Sequence, residues 1–343
     1  MAHTFDPGAA ASKDSGVFGL PHSVDEARVV LIPVPFEATC SYGGGTSDGP
    51  GAVLSASRQV DLYDVETGRP YEAGIAMLSE PVEVRAWNDE AKRAAEPVIE
   101  AGGVLTTDAL KAAAAKVNAL SEKMNAWVHQ TAKTHLARGK LVGLVGGDHS
   151  VSYGSILAHA ERYPQLGVLH VDAHADLRLA FEGFTWSHAS IMRNVVDRIP
   201  GVVNLVQVGL RDMSEEEADV ASRSDARIIQ HYDSALAGAL HDGIPWRTIV
   251  ERIISPLPEH VYISFDIDGL DPALCPGTGT PVPGGLSFRE ALTLFRVLAR
   301  SGRKIVGFDL TEVAPGPDGD EWDANVGARV LYKMIGWALR TQR

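Results

Sequence analysis

The chain has 343 residues, 45% of them hydrophobic and 22% charged, which is enough apolar material for a sizeable core. Its 31 Lys plus Arg against 44 Asp plus Glu give a formal net charge of −13, with no basic run to offset it, so nucleic acid and anionic membrane surfaces are not expected partners. Two cysteines, Cys40 and Cys275, are too few for a disulfide framework and lack zinc-site spacing, and no apolar run reaches the ~18 residues of a membrane span.

Residues 1–27 are rich in Gly, Ala and Ser and are expected to form a loosely ordered arm ahead of one domain over 28–343. The arm lacks the apolar stretch of a signal peptide, so a cytoplasmic location with reduced thiols is expected. RVVLIPVPF (28–36) reads as the first buried strand. SYGGGTSDGPG (41–51) lacks the lysine of a phosphate loop and reads either as a loop at a site mouth or as a simple turn. An Ala/Leu/Lys-rich helix is predicted over 107–138, with Gly139 as its stop. Further β-branched apolar runs follow at 141–147, 166–172, 202–209, 226–230, 261–266 and 304–310, with helices at 287–301 and 324–341. Near-continuous apolar strands alternating with helices imply a parallel sheet covered on both faces. No repeat and no clean linker divides the chain.

In such folds ligands gather beyond the carboxyl ends of the strands. Chemistry-bearing residues stand at three of those ends. The 141–147 run leads into GGDHS with His149, the 166–172 run into Asp172-Ala-His174-Ala-Asp176, and the 261–266 run into Asp266-Ile-Asp268. In extended chain, residues two apart point to one side, so each group is expected to converge on a common spot. Four carboxylates brought together without a cation would repel one another and raise their own pKa values. Two divalent ions would balance them, and Asp/His donors without thiolate suit Mn²⁺ or Ni²⁺. Alone, GGDHS is an ordinary capped turn and Asp-x-Asp a common loop start; three such groups after three buried strands point to a dinuclear metal site. Such a site can activate water and clamp an electrophile, so hydrolysis is the expected chemistry.

At this point the sequence resembles the ureohydrolase family of arginases and agmatinases, through GGDHS, DAHADL and SFDIDGLDPALCPGTGTPVPGGLSFREAL, over most of the chain from residue 28. The resemblance implies a three-layer α/β/α fold around a mainly parallel eight-stranded sheet, and a trimer or hexamer, homo- or hetero-oligomeric. It also implies that Asp172 and Asp266 bridge two divalent ions, Ni²⁺ or Mn²⁺, that His149 and Asp176 complete one shell, and that His174 and Asp268 complete the other. Asp176 would orient the attacking hydroxide, His188 in TWSHAS would carry protons, and Glu312 in FDLTEVAP would hold the guanidinium of a small cationic substrate. Asp309 is a candidate for support of these ligands.

The loop LRLAFEGFTWSHAS lacks the Asn/Ser pattern of arginases, and its Ser187-His188-Ala189 departs from the Asp-His-Gly of agmatinases. With ATCSYGGGTSDGP and LCPGTGTPVPGG, it looks most like the branch of guanidine hydrolases and biguanide (metformin) hydrolases. The implied reaction is guanidine to urea and ammonia, or a dimethylbiguanide to guanylurea and dimethylamine. Around Arg178 and Glu182, the aromatic residues Phe181, Phe184 and Trp186 either pack the loop or, for Phe184 and Trp186, close a pocket through cation–π contact. Agmatinase or arginase activity is the alternative. A mononuclear zinc deacetylase would need neither His149 nor the Asp266/Asp268 pair, and a non-catalytic subunit would be expected to have lost ligands. Cys275 is expected to be a packed thiol or to face the site.

Overall fold

The computed structural model describes residues 5–316 and 320–342. Eight strands form a single sheet: β1 (Val29–Val34), β2 (Ile75–Met77), β3 (Leu141–Gly146), β4 (Leu166–Val171), β5 (Val202–Leu210), β6 (Ile228–Tyr232), β7 (His260–Asp266) and β8 (Lys304–Thr311). The order is β2-β1-β3-β8-β7-β4-β5-β6, and every pairing is parallel. Successive β3 and β4 are thus parted by β8 and β7, and this change of winding direction opens a crevice at the carboxyl ends of the middle strands.

Ten α-helices cover the sheet: α1 (Gly49–Ser57), α2 (Val82–Glu100), α3 (Asp108–Ala137), α4 (Ser152–Arg162), α5 (Ile191–Arg198), α6 (Glu215–Ser222), α7 (Asp233–His241), α8 (Trp246–Ile254), α9 (Phe288–Arg300) and α10 (Trp322–Thr341) are those of the described residues. Strand side chains alternate between the two faces. Val29 and Leu31 of β1 join the core under α1, α8, α9 and α10, whereas Ile32 and Val34 join α2 and α3. Leu166 and Val168 of β4 pack with α5, and Leu169 and Val171 face the opposite core. The layers are therefore helix, sheet, helix, as expected.

The expected elements form close to their expected bounds. The long helix begins behind Thr107, whose side chain accepts from the Leu110 N–H, and α9 begins behind Ser287, which makes a full capping box with Glu290. Strand β2 has only three residues and left no periodic trace to read. The expected N-terminal arm is docked from Val17 onward. Val17, Phe18 and Leu20 are buried, the Phe18 N–H donates to Ser57 Oγ (2.8 Å), and its ring lies 4.8 Å from that of Tyr332 in α10. Burial of these apolar side chains against α1 and α10 outweighs the loose composition around them. No helix among the described residues is long and apolar enough to cross a membrane.

Candidate active site

The polar cluster begins where β3 stops. Gly147 makes the turn, and any Cβ there would stand 2.1 Å from the Phe36 carbonyl oxygen. Asp148 caps the following turn by accepting from the Ser150 N–H (3.0 Å), and this sets His149 at the crevice, 1% exposed.

The other ligand candidates converge by a different route from the one expected. The chain does not stay extended beyond β4 and β7. Instead each leading aspartate bends the backbone with its own side chain: Asp172 Oδ1 accepts from the His174 N–H (2.6 Å), and Asp266 Oδ1 from the Asp268 N–H (2.8 Å). Asp268 Oδ1 accepts from the Ala173 N–H (3.0 Å), stitching the two turns together. Asp176 then takes a left-handed φ of 55°, and Glu312, just past β8, one of 63°. Each such conformation costs roughly 1–3 kcal/mol in a residue with a Cβ. Both stand at the cluster, where the surrounding packing holds them.

The six expected ligands come together. His149 Nδ1 lies 3.0 Å from Asp172 Oδ2, 3.3 Å from Asp176 Oδ2 and 3.2 Å from Asp266 Oδ2. His174 Nδ1 lies 3.1 Å from Asp268 Oδ2 and 3.5 Å from Asp172 Oδ1. Two overlapping groups are close enough to hold ions, His149–His170–Asp172–Asp176 and Asp172–His174–Asp268, and they share Asp172. His170 was missed by the sequence reading. It is two residues before Asp172, so the strand period puts it on the same face, but it is embedded in the apolar run LGVLHV.

The donor set fits divalent ions. Ser264 Oγ lies 2.9 Å from His149 Nε2 and donates to Asp309 (2.9 and 3.0 Å), whose carboxylate accepts; Ser264 therefore accepts from His149 Nε2–H. That leaves the Nδ1 lone pair facing three carboxylates. Either a second proton or a metal ion must fill the gap. Burial opposes charge on His149, but Asp172 and Asp176 outweigh it and push the ring up to about 10. Burial opposes charge on His174 too, and Asp268 and Asp172 push it up to about 12. Burial together with neighbouring carboxylates raises Asp176, Asp266 and Glu312 far above the ordinary range. A buried set of carboxylates with such raised values is one that positive charge would balance.

Glu312 Oε1 accepts from the His149 N–H (2.9 Å), while its Oε2 is buried without a partner. His188 Nδ1 and N–H both meet Thr39 Oγ1 (3.2 and 3.3 Å), and burial beside His174 and His149 lowers the ring to about 4, so it is neutral at pH 7. His174, Asp176 and His188 line a cavity of about 180 Å³ together with Ser41, Arg178 and Phe181. Ser41 brings the glycine-rich segment to the site, where Gly43, Gly44 and Gly45 all have positive φ. A larger groove of about 580 Å³ lies at the far end of β8, between α8 and α9.

The expected pocket aromatics require correction. Phe184 is fully buried in the core with α2 and α3, and Trp186 stands edge-on to Tyr153 (4.9 Å) with Arg198 over its face (4.8 Å). A tight turn with positive φ at Glu182 and Gly183 reverses the loop. Asn118 of α3 pins it, donating to the Gly183 carbonyl (3.2 Å) and accepting from the Thr185 N–H (2.8 Å). The ring in the cavity wall is Phe181, 5.9 Å from His188 and under the Arg178 guanidinium at 5.1 Å. Cys275 is buried and Cys40 partly so, and both thiols are free.

Known proteins extend this picture. The arginase family model matches residues 27–336. The chain is 34% identical to N(1)-aminopropylagmatine ureohydrolase of Thermus thermophilus over 91% of its own length and 90% of the relative's. It is also 34% identical to agmatinase of Bacillus subtilis, over 58% of this chain and 64% of that one. Proclavaminate amidino hydrolase from Streptomyces clavuligerus superposes with a TM-score of 0.72 at 24% identity, covering 97% of this chain and 100% of that one, which establishes the shared fold. The family match runs from just before β1 into α10, and the chain belongs to the arginase family of hydrolases, which cleave C–N bonds of amidines.

Proposed function

We propose that this ureohydrolase acts on a compact, singly charged guanidine, either guanidine itself or a dimethylbiguanide such as metformin. His149, Asp172, Asp176 and Asp266 would hold one divalent ion and His174, Asp268 and the two shared aspartates, Asp172 and Asp266, the other, with Mn²⁺ or Ni²⁺ the ions that suit the donors. Such ions supply Lewis acidity and an activated water at neutral pH. The protein supplies the rest. Glu312 Oε2 is an unpaired carboxylate oxygen that can take a guanidinium N–H. Asp176 would orient the attacking water and His188 would return a proton to the departing amine, whose C–N bond breaks once the C–O bond has formed.

The observation that carries the compact substrate is Arg178. Its guanidinium lies in the cavity wall, stacked on Phe181 and 3.6 Å from Glu217. Glu217 already accepts from the Leu177 N–H and caps α6 through Ser214. A second ammonium at the far end of an agmatine-type chain would meet this cation, and because Glu217 and solvent offset part of its charge the repulsion is worth about 1.4 kcal/mol, a tenfold bias. Asp212 in the same wall favours the second reading, agmatine or its aminopropyl derivative, as do the names of the relatives.

The test is a product assay on the chain loaded separately with Mn²⁺ and Ni²⁺, offering guanidine, a dimethylbiguanide, agmatine, arginine and guanidinobutyrate. Turnover of guanidine or the biguanide with little on agmatine is expected. Preference for agmatine or its homologues would overturn the compact-substrate reading and keep the chemistry.

A further inference from the structure

A row of polar side chains, buried from Asp309 to Gln207 and half-buried at Gln230, crosses the sheet beneath the site. Asp309, Ser264, His170, Gln207 and Gln230 are register partners on β8, β7, β4, β5 and β6 in turn. Polar groups in such a place must be fully hydrogen-bonded or they destabilise the fold. The Asp309–Ser264 arm serves His149, as described above. The other arm runs outward: His170 Nε2 to Asp172 Oδ2 (2.8 Å), Gln207 Nε2 to His170 Nδ1 (2.9 Å), Gln230 Nε2 to Gln207 Oε1 (3.0 Å), and Tyr232 Oη to Gln230 Oε1 (2.8 Å).

The direction of this arm is set by a carbonyl group. Gln207 Nε2 also donates to the Ala175 backbone oxygen (2.7 Å), which can only accept. Turning the amide over would put two oxygens against each other there and two NH₂ groups against each other at Gln230. Gln207 must therefore donate to His170 Nδ1, which fixes the proton of the neutral ring on Nε2, facing Asp172. A nitrogen that carries a proton has no lone pair for a metal. The two histidines flanking Asp172 thus have opposite polarity, His149 offering a lone pair and His170 a proton.

We propose that His170, although close enough to the cluster to be taken for a ligand, is a positioning residue: it donates to the shared carboxylate Asp172, and Gln207, Gln230 and Tyr232 hold it in the one tautomer that can. Outer partners of this kind orient ligands and tune metal affinity, and their loss typically costs about 10–100-fold in binding.

Metal affinity of the full chain, measured by competition with a chromogenic chelator for Mn²⁺ and Ni²⁺, tests the assignment without relying on turnover. His170→Leu should weaken binding about 10–100-fold while two ions per chain still bind at saturation. His170→Gln, whose amide nitrogen can take the place of Nε2, should restore most of the loss. Wild-type affinity in His170→Leu overturns the proposal. So does a His170→Gln as weak as His170→Leu, or loss of one ion per chain, since either makes His170 a ligand. Should His170→Leu fail to fold, the half-buried Gln230→Leu decides: a smaller loss in the same direction supports the relay, and unchanged affinity overturns it.

Discussion

Glu37 and Glu312 are both carboxylates buried just beyond a strand, one after β1 and one after β8, and they behave in opposite ways. Glu37 has a complete set of partners: Lys92, the Thr46 hydroxyl (2.9 Å) and the Ser47 N–H (3.0 Å). Burial alone would raise it, but Lys92 and these donors outweigh burial and hold it below the usual range. Glu312 has one backbone donor, a bare Oε2, and other carboxylates for neighbours, so burial and Asp266 drive it up. A buried charge with its counter-charge built in is part of the scaffold. One without it is waiting for a cation, and the strand ends around Glu312 collect several.

This contrast can be broken or sharpened experimentally. The largest effect is expected from Asp172→Ala, which removes one of the two groups shared by both candidate ion sets: turnover should fall at least about 10³-fold, and the rise in Tm on adding metal, worth about 2.7 kcal/mol at a hundred times Kd in the intact chain, should vanish. His188→Asn should lower kcat by about 10²–10⁴-fold with metal affinity unchanged in the chelator assay. Glu312→Gln and Glu37→Gln form the direct comparison. The first should cost about 10²-fold in kcat/KM with little change in Tm, and the second about 1–3 kcal/mol of stability with near-normal kinetics. Reversal of that pattern would sink the distinction. Arg178→Ala should improve agmatine relative to guanidine by about tenfold, the equivalent of ~1.4 kcal/mol; an unchanged ratio would remove the argument from the fixed cation.

An effect confined to acid pH concerns a buried group of the opposite kind. His159 of α4 is fully buried, donates from Nδ1 to the Ser155 carbonyl (2.8 Å), and burial lowers it from 6.5 to about 4. The unfolded chain therefore binds this proton more readily than the folded one. The stability contributed is present above pH 6.5 and is lost as pH falls toward 4. Thermal melts across that window should show a shallower decline for His159→Leu than for the parent, and parallel curves would show that another group is responsible.

How much of this was legible in the sequence follows from how far each feature reaches along the chain. The strand-end candidate ligands stood out because each group's chemistry lies within a few residues, in DHS, DAHAD and DID. Even there the reason for convergence was different, since Asp172 and Asp266 turn the backbone through their own side chains rather than extending it. The rings of Phe181, Phe184 and Trp186 were not separable, because Asn118, 67 residues before Thr185, decides which way that loop faces. His170 was hidden by its apolar neighbours, and its polar partners Gln207 and Gln230 come from two other strands. Strand β2, three residues long at the sheet edge, has too few positions to show a period.

The strand order also has a consequence for synthesis. β3 and β4 are made early and in succession, but neither finds its central neighbour until β7 and β8, some ninety residues and more after β4, are inserted between them. Until then the nascent chain holds two separate half-sheets, each with an open inner edge able to pair with other chains. Asp266, Asp268 and Glu312 arrive with these late strands, so no complete site exists on a partly made chain. Metal capture must follow closure of the sheet, and a ribosome paused before β8 leaves the molecule at its most aggregation-prone.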